Sequence, residues 1–98
     1  MKIVKEAVAG TLESSDLLVK VAPLADDKVD LVIESEVMRQ FGAQIRKVVE
    51  ETLRQLGVRS GQIVIEDKGA LDCAIRARVQ TAVLRGAECK EMNWSALS

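Results

Sequence analysis

Histidine and tyrosine are absent from this 98-residue chain, phenylalanine, tryptophan and proline occur once each, and cysteine occurs twice. Without histidine, a serine or cysteine nucleophile lacks its usual base and no imidazole can ligate a metal, so hydrolase and zinc-enzyme readings lose their chemistry. With only Phe41 and Trp94, the core has to be aliphatic, and there is no row of aromatic platforms on which bases could stack. A net charge of -1 also argues against neutralising a phosphate backbone, so no nucleic-acid partner is expected. Cys73 and Cys89 are far apart and match no metal-ligand spacing, so reduced thiols are expected. The glycines form neither a phosphate-cradling loop nor a dinucleotide fingerprint. No apolar run suits a signal peptide or a membrane span, which leads us to expect a cytoplasmic protein with no membrane partner.

Hydrophobic residues make up 48% of the chain and charged residues 30%, enough for one ordinary core. Charge is uneven along the sequence: residues 1–36 carry eight acids against four bases, and residues 37–98 carry ten bases against seven acids. We expect one domain over residues 1–86 and a flexible tail over 87–98, where no period is evident.

Residues 7–13 and 16–24 read as strands separated by the polar Ser14-Ser15, a hairpin pattern. Pro23 cannot donate to a ladder and belongs at an edge or a strand end. Val29, Leu31 and Ile33 alternate with polar residues as a third strand, and three antiparallel strands are expected before any helix. From Ser35, a candidate cap, the period changes: Val37, Phe41, Ile45, Val48, Val49, Leu53 and Leu56 form a helical stripe that Gly57 can end. Residues 62–67 are a β-branched fourth strand. Leu71, Ile75, Val79, Ala82 and Val83 form a second stripe ending near Gly86. The order β-β-β-α-β-α predicts an α+β two-layer sandwich, a mainly antiparallel sheet with two helices on one face.

Carboxylates are plentiful, but Asp26-Asp27 and Glu50-Glu51 fall where a solvated loop and an outer helix face are expected. Ser14 and Ser15, followed by Asp16, suit a turn because their side chains can bond nearby backbone. A hydroxyl at a hairpin tip is also open to covalent attachment by another enzyme. The residues alone leave both readings standing.

The stretch Ala7-Val8-Ala9-Gly10-Thr11-Leu12-Glu13-Ser14-Ser15-Asp16 resembles the N-terminal signature of citrate lyase acyl-carrier (gamma) subunits. The resemblance continues through Ala22-Pro23-Leu24, Gln40-Phe41-Gly42, Ile45-Arg46, Val58-Arg59, Asp67-Lys68-Gly69-Ala70-Leu71-Asp72-Cys73 and Arg76-Ala77-Arg78, which is most of the chain. It implies a non-catalytic carrier whose serine in Gly-Thr-Leu-Glu-Ser, here Ser14, holds 2'-(5''-phosphoribosyl)-3'-dephospho-CoA through a phosphodiester. The arm ends in a thiol that carries acetyl or citryl as a thioester. The implied partners are the alpha (acyl transferase) and beta (citryl lyase) subunits and a prosthetic-group transferase. The net reaction would be citrate to acetate and oxaloacetate.

Other roles are expected to be modest. Glu13 and Asp16 could present an acidic face to a basic partner, or simply solvate a turn. Lys68-Gly69 reads as helix entry, Cys73 as a buried structural thiol beside the second stripe, and Arg76 and Arg78 as an exposed face or a docking pair. The nearest rival reading is the carrier of malonate decarboxylase, with a similar arm. A fatty-acid carrier is a helical bundle with Asp-Ser-Leu at a helix start, whereas Ser15-Asp16-Leu17 has another order between strand-like segments. A non-covalent adaptor that binds through its sheet edge would need no modification at Ser14.

Overall fold

The computed structural model describes residues 2–35 and 38–87. Six elements follow in the expected order: β1 (Ala7–Gly10), β2 (Leu17–Ala22), β3 (Val29–Ser35), α1 (Met38–Leu56), β4 (Gly61–Asp67) and α2 (Asp72–Gly86). One four-stranded sheet has the spatial order β1-β2-β4-β3. The pairings β1–β2 and β2–β4 are antiparallel and β3–β4 is parallel, so the sheet is mixed but mainly antiparallel.

The expected run of three antiparallel strands is corrected in one respect: β4 lies between β2 and β3, which do not pair. The cause is α1. A helical crossover returns the chain to the end of the sheet where β3 began, so the next strand pairs with β3 in parallel. β3 is thereby left at the edge.

Strand alternation sets the two faces of the sheet. Ala9, Val19, Ile65 and Ile33 lie in register across all four strands, and each is buried. Leu17, Val21 and Ile63 extend that inner face. Upon it fall the helical stripes, Ile45, Val48, Val49, Leu53 and Leu56 from α1 and Ile75, Val79, Ala82 and Val83 from α2, in one aliphatic cluster with Ile3. Each buried valine, leucine or isoleucine among them contributes about 1.5–3 kcal/mol of burial. α2 covers β1 and β2, α1 reaches β3, and the helices pack on each other. The opposite sheet face carries the row Val8, Lys20, Val64 and Val32, with Val8 and Val32 exposed.

Gly57 ends α1 as expected. Its φ of +70 lies in the left-handed region, its N–H donates to the Arg54 carbonyl at 3.0 Å, and Val58 N–H donates to the Leu53 carbonyl at 3.1 Å. That pair of bonds is the Schellman closure. Ser35, the candidate cap of α1, is the last residue of β3, and its hydroxyl donates to Asp67 Oδ2 at 2.8 Å; the residues that join it to Met38 lie outside the described ones, and with them its expected capping role. Pro23 sits exposed just past the end of β2, where its missing N–H costs no ladder bond. Val37, the Phe41 side chain, Cys89, Trp94 and the expected tail beyond Ala87 lie outside the described residues.

Candidate functional site

The loop of residues 11–16 joins β1 to β2 at one end of the sheet. It begins where β1 stops, three residues earlier than the sequence pattern suggests, because Gly10 turns the chain at φ +96. A Cβ there would fall on the Leu17 carbonyl oxygen, so the close approach needs glycine. Thr11 N–H donates to that same carbonyl at 3.1 Å. Thr11 Oγ1 accepts from Glu13 N–H at 3.2 Å and donates to Asp16 Oδ2 at 2.8 Å, which ties the two ends of the loop together.

Asp16 is the hub of this turn. Its Oδ1 accepts from Leu17 N–H at 2.8 Å and from Arg78 Nε at 3.2 Å, and its Oδ2 accepts from Arg78 Nη2 at 3.0 Å. The two-pronged grip of the Arg78 guanidinium, followed by the bonds from Thr11 and the Leu17 N–H, lowers the Asp16 pKa to about 2. The backbone is tied as well, since Ser15 N–H donates to the Lys68 carbonyl at 2.8 Å and Lys68 N–H donates to the Asp16 carbonyl at 2.9 Å. Ser15 takes up φ +64, a conformation seldom used by a residue with a side chain.

Ser14 therefore stands exposed on a turn whose neighbours are held from several sides. No hydrogen bond to a described residue engages its hydroxyl. The strand that supports the loop ends in Asp67, 2% exposed, whose carboxylate accepts from Ser35 Oγ, from Gly69 N–H at 3.1 Å and from Ala70 N–H at 2.9 Å. This folds residues 67–70 into a bend that places the Lys68 carbonyl against Ser15. Two open depressions adjoin this end of the molecule, one lined by Leu12, Glu34, Glu66 and Lys68, the other by Gln44, Ala70, Leu71, Asp72, Cys73 and Arg76.

Several sequence-based expectations change here. Asp16 and Arg78 neither solvate a turn nor stand free for docking; they bind each other across the site. Cys73 is exposed rather than buried, because it lies two positions before Ile75 and so on the opposite side of α2 from the apolar stripe. Lys68 is more than a helix entry, since its backbone braces Ser15. Glu13 is exposed, as are Asp26 and Asp27, while Glu50 pairs with Arg46 at 3.5 Å on the outer face of α1. The Asp16–Arg78 pair spans 62 positions, so no local pattern announces it. Asp67 carried one signal that could have been read, a carboxylate closing a β-branched run directly before Lys68-Gly69.

Chemically the site offers the exposed hydroxyls of Ser14 and Ser15 and, among the described residues, no group of three side chains able to hold a metal.

These features define a small α+β scaffold with an exposed serine on a braced turn. Residues 4–86 match the family described as "ACP: Malonate decarboxylase delta subunit (MdcD)". The chain is 66% identical over 97 residues to the citrate lyase acyl carrier protein of Albidiferax ferrireducens, covering 99% of each chain. It is 64% identical to that of an Enterobacter species, covering all of both. The chain belongs to the citrate lyase acyl carrier protein family. A chain from the crystal structure of a Pseudomonas malonate decarboxylase hetero-tetramer in complex with malonate shares the fold, with a TM-score of 0.76, 20% identity and 87% coverage of each chain. Among the described residues no helix is long and apolar enough to cross a membrane.

Proposed function

We propose that this chain is the acyl-carrier subunit of a cytoplasmic citrate lyase, with Ser14 as the attachment point for 2'-(5''-phosphoribosyl)-3'-dephospho-CoA. The observation that carries the reading is an exposed Ser14 on a braced turn, in a chain 66% identical to a relative named as this carrier. Bound, the group supplies a terminal thiol on which acetyl or citryl rides. To form the phosphodiester, the Ser14 oxygen bonds to phosphorus of a donor carrying a phosphoric anhydride. The anhydride bond breaks, a phosphate or pyrophosphate leaves, and the hydroxyl proton passes to a base on the attaching enzyme. Nothing is oxidised or reduced. The chain has no histidine to act as that base.

What this chain contributes is a fixed hydroxyl and a compact body. A tethered cargo stays at high effective concentration near both the alpha subunit, which exchanges acyl groups, and the beta subunit, which cleaves citryl. The carrier then needs no catalytic residue. The description of the matching family favours a second reading, a malonate decarboxylase carrier. One pair of reconstitutions separates the two: the chain is loaded by the prosthetic-group transferase, weighed intact, and assayed with the other lyase subunits for oxaloacetate release from citrate and with the other malonate decarboxylase subunits for malonate turnover. We expect the mass gain and oxaloacetate from wild type, and neither from Ser14→Ala. Loaded carrier that supports malonate turnover but not citrate cleavage would establish the second reading. A folded Ser14→Ala protein that still gains the mass would move the site elsewhere.

A further inference from the structure

The Arg78 guanidinium, on the second turn of α2, reaches the loop between β1 and β2 and takes hold of both oxygens of Asp16. That same carboxylate receives Thr11 Oγ1 and Leu17 N–H, so one arginine anchors the residue to which both ends of the loop are tied. Asp16 is two residues from Ser14, and the intervening Ser15 is held at φ +64 by its bond to Lys68. Core packing holds α2 in place through Ile75 and Val79, each buried, which flank Arg78 in the helix. The guanidinium is thus fixed at its root and forked at its tip, a geometry that Lys cannot reproduce because an ammonium is a single point of charge.

We propose that Arg78 is a positioning residue for modification of Ser14: through Asp16 it holds residues 11–16 in the shape that the attaching enzyme must meet. This rests on the assignment of Ser14 as the attachment point. An attacking oxygen has to approach phosphorus in line with the departing phosphate, and small displacements cost rate heavily. A turn of small polar residues, left to itself, samples many shapes. Arg78 removes that freedom before the partner arrives, so it should act on the turnover step of loading and leave the affinity for the carrier largely alone.

Full-length wild type, Arg78→Gln, Arg78→Lys and Ser14→Ala chains can be followed by two independent readouts. The first is the initial rate of prosthetic-group loading by intact mass, measured against carrier concentration. The second is amide hydrogen exchange across residues 11–17. For Arg78→Gln we expect kcat of loading to fall about tenfold or more with KM changed by less than about threefold, since a misplaced reacting group loses rate rather than encounter. Arg78→Lys should recover part of the loss. The Ser15 and Leu17 amides should exchange at least about tenfold faster in Arg78→Gln while those of β4 keep their protection, which marks a local opening. Loading of Arg78→Gln within twofold of wild type, or unchanged exchange at Ser15 and Leu17, would overturn the proposal. A wrong attachment site looks different: Ser14→Ala would gain the mass, whatever Arg78 does.

Discussion

Two loops leave β2 at its opposite ends, residues 11–16 and residues 23–28, equal in length and mostly exposed. Each contains acidic residues and turn formers. Their support differs. The 23–28 loop is held by backbone and by one serine: Lys28 N–H to the Asp26 carbonyl at 2.9 Å, Ser60 Oγ to the same carbonyl at 3.0 Å, and Gly61 N–H to the Lys28 carbonyl at 3.0 Å. In the 11–16 loop, the side chains of Thr11, Asp16 and Arg78 bind one another, and a second carboxylate, Asp67, shapes the segment beneath. Exposure alone therefore does not separate the two loops. The investment of side-chain hydrogen bonds does.

The sharpest way to break this comparison is to move the serine. Ala25→Ser puts a hydroxyl in the exposed 23–28 loop, and in a Ser14→Ala background we expect it to receive no prosthetic group, with intact mass unchanged after incubation with the transferase. Mass gain at residue 25 would mean that accessibility suffices and that the bracing of the 11–16 loop is incidental. Next in size is Gly10→Ala. The added carbon collides with the Leu17 carbonyl oxygen and sits at φ +96, so we expect a loss of about 1–3 kcal/mol in denaturant unfolding. A midpoint equal to wild type would show that the loop has other shapes available.

Much of the fold was legible because it is local. Every described position of the two helical stripes apart from Leu71 is buried, and Gly57 and Pro23 stand where their backbone constraints place them. Leu71 is instead 73% exposed, because it precedes the first turn of α2 rather than lying on its inner face. The strand order was not legible. Insertion of β4 between β2 and β3 depends on where α1 returns the chain, which no periodicity encodes. The bond from Ser35 to Asp67 was hidden for the same reason, since the two residues lie 32 positions apart. For the site, Ser14 could be placed at a turn from the strand patterns on either side, but the Asp16–Arg78 grip joins segments at opposite ends of the domain. A charge beside a turn gives no hint in sequence of whether water or an arginine will face it.

Asp67 and Asp26 test the same contrast in stability. Asp67→Ala removes a buried carboxylate that accepts from Ser35 Oγ, Gly69 N–H and Ala70 N–H, and a loss of about 1–3 kcal/mol is expected. Asp26→Ala removes an exposed carboxylate whose described bonds are made by its backbone, so we expect a change within about 0.5 kcal/mol. Chemical denaturation of the two variants side by side checks both. Equal effects would deny that the support beneath the 11–16 loop differs in kind from that of the 23–28 loop.

The smallest effect is expected from pH, and its sign follows from Asp16. Its pKa is lowered in the folded protein from 3.8 to about 2, first by the hydrogen bonds from Arg78 and then by Thr11. A lowered folded pKa means that the unfolded chain takes up the proton first on acidification. The Asp16 contribution is therefore fully present above pH 4 and fades as pH falls from about 4 towards 2. Because the Arg78 side chain is 41% exposed, water and salt screen the pair and its contribution stays small. Asp16→Asn keeps the shape but removes the titration, so the stability difference between wild type and variant should shrink steadily through that window. Thermal unfolding of both proteins between pH 5 and pH 2 at low ionic strength measures that difference. Parallel curves for wild type and Asp16→Asn would show that the carboxylate is not gripped in solution.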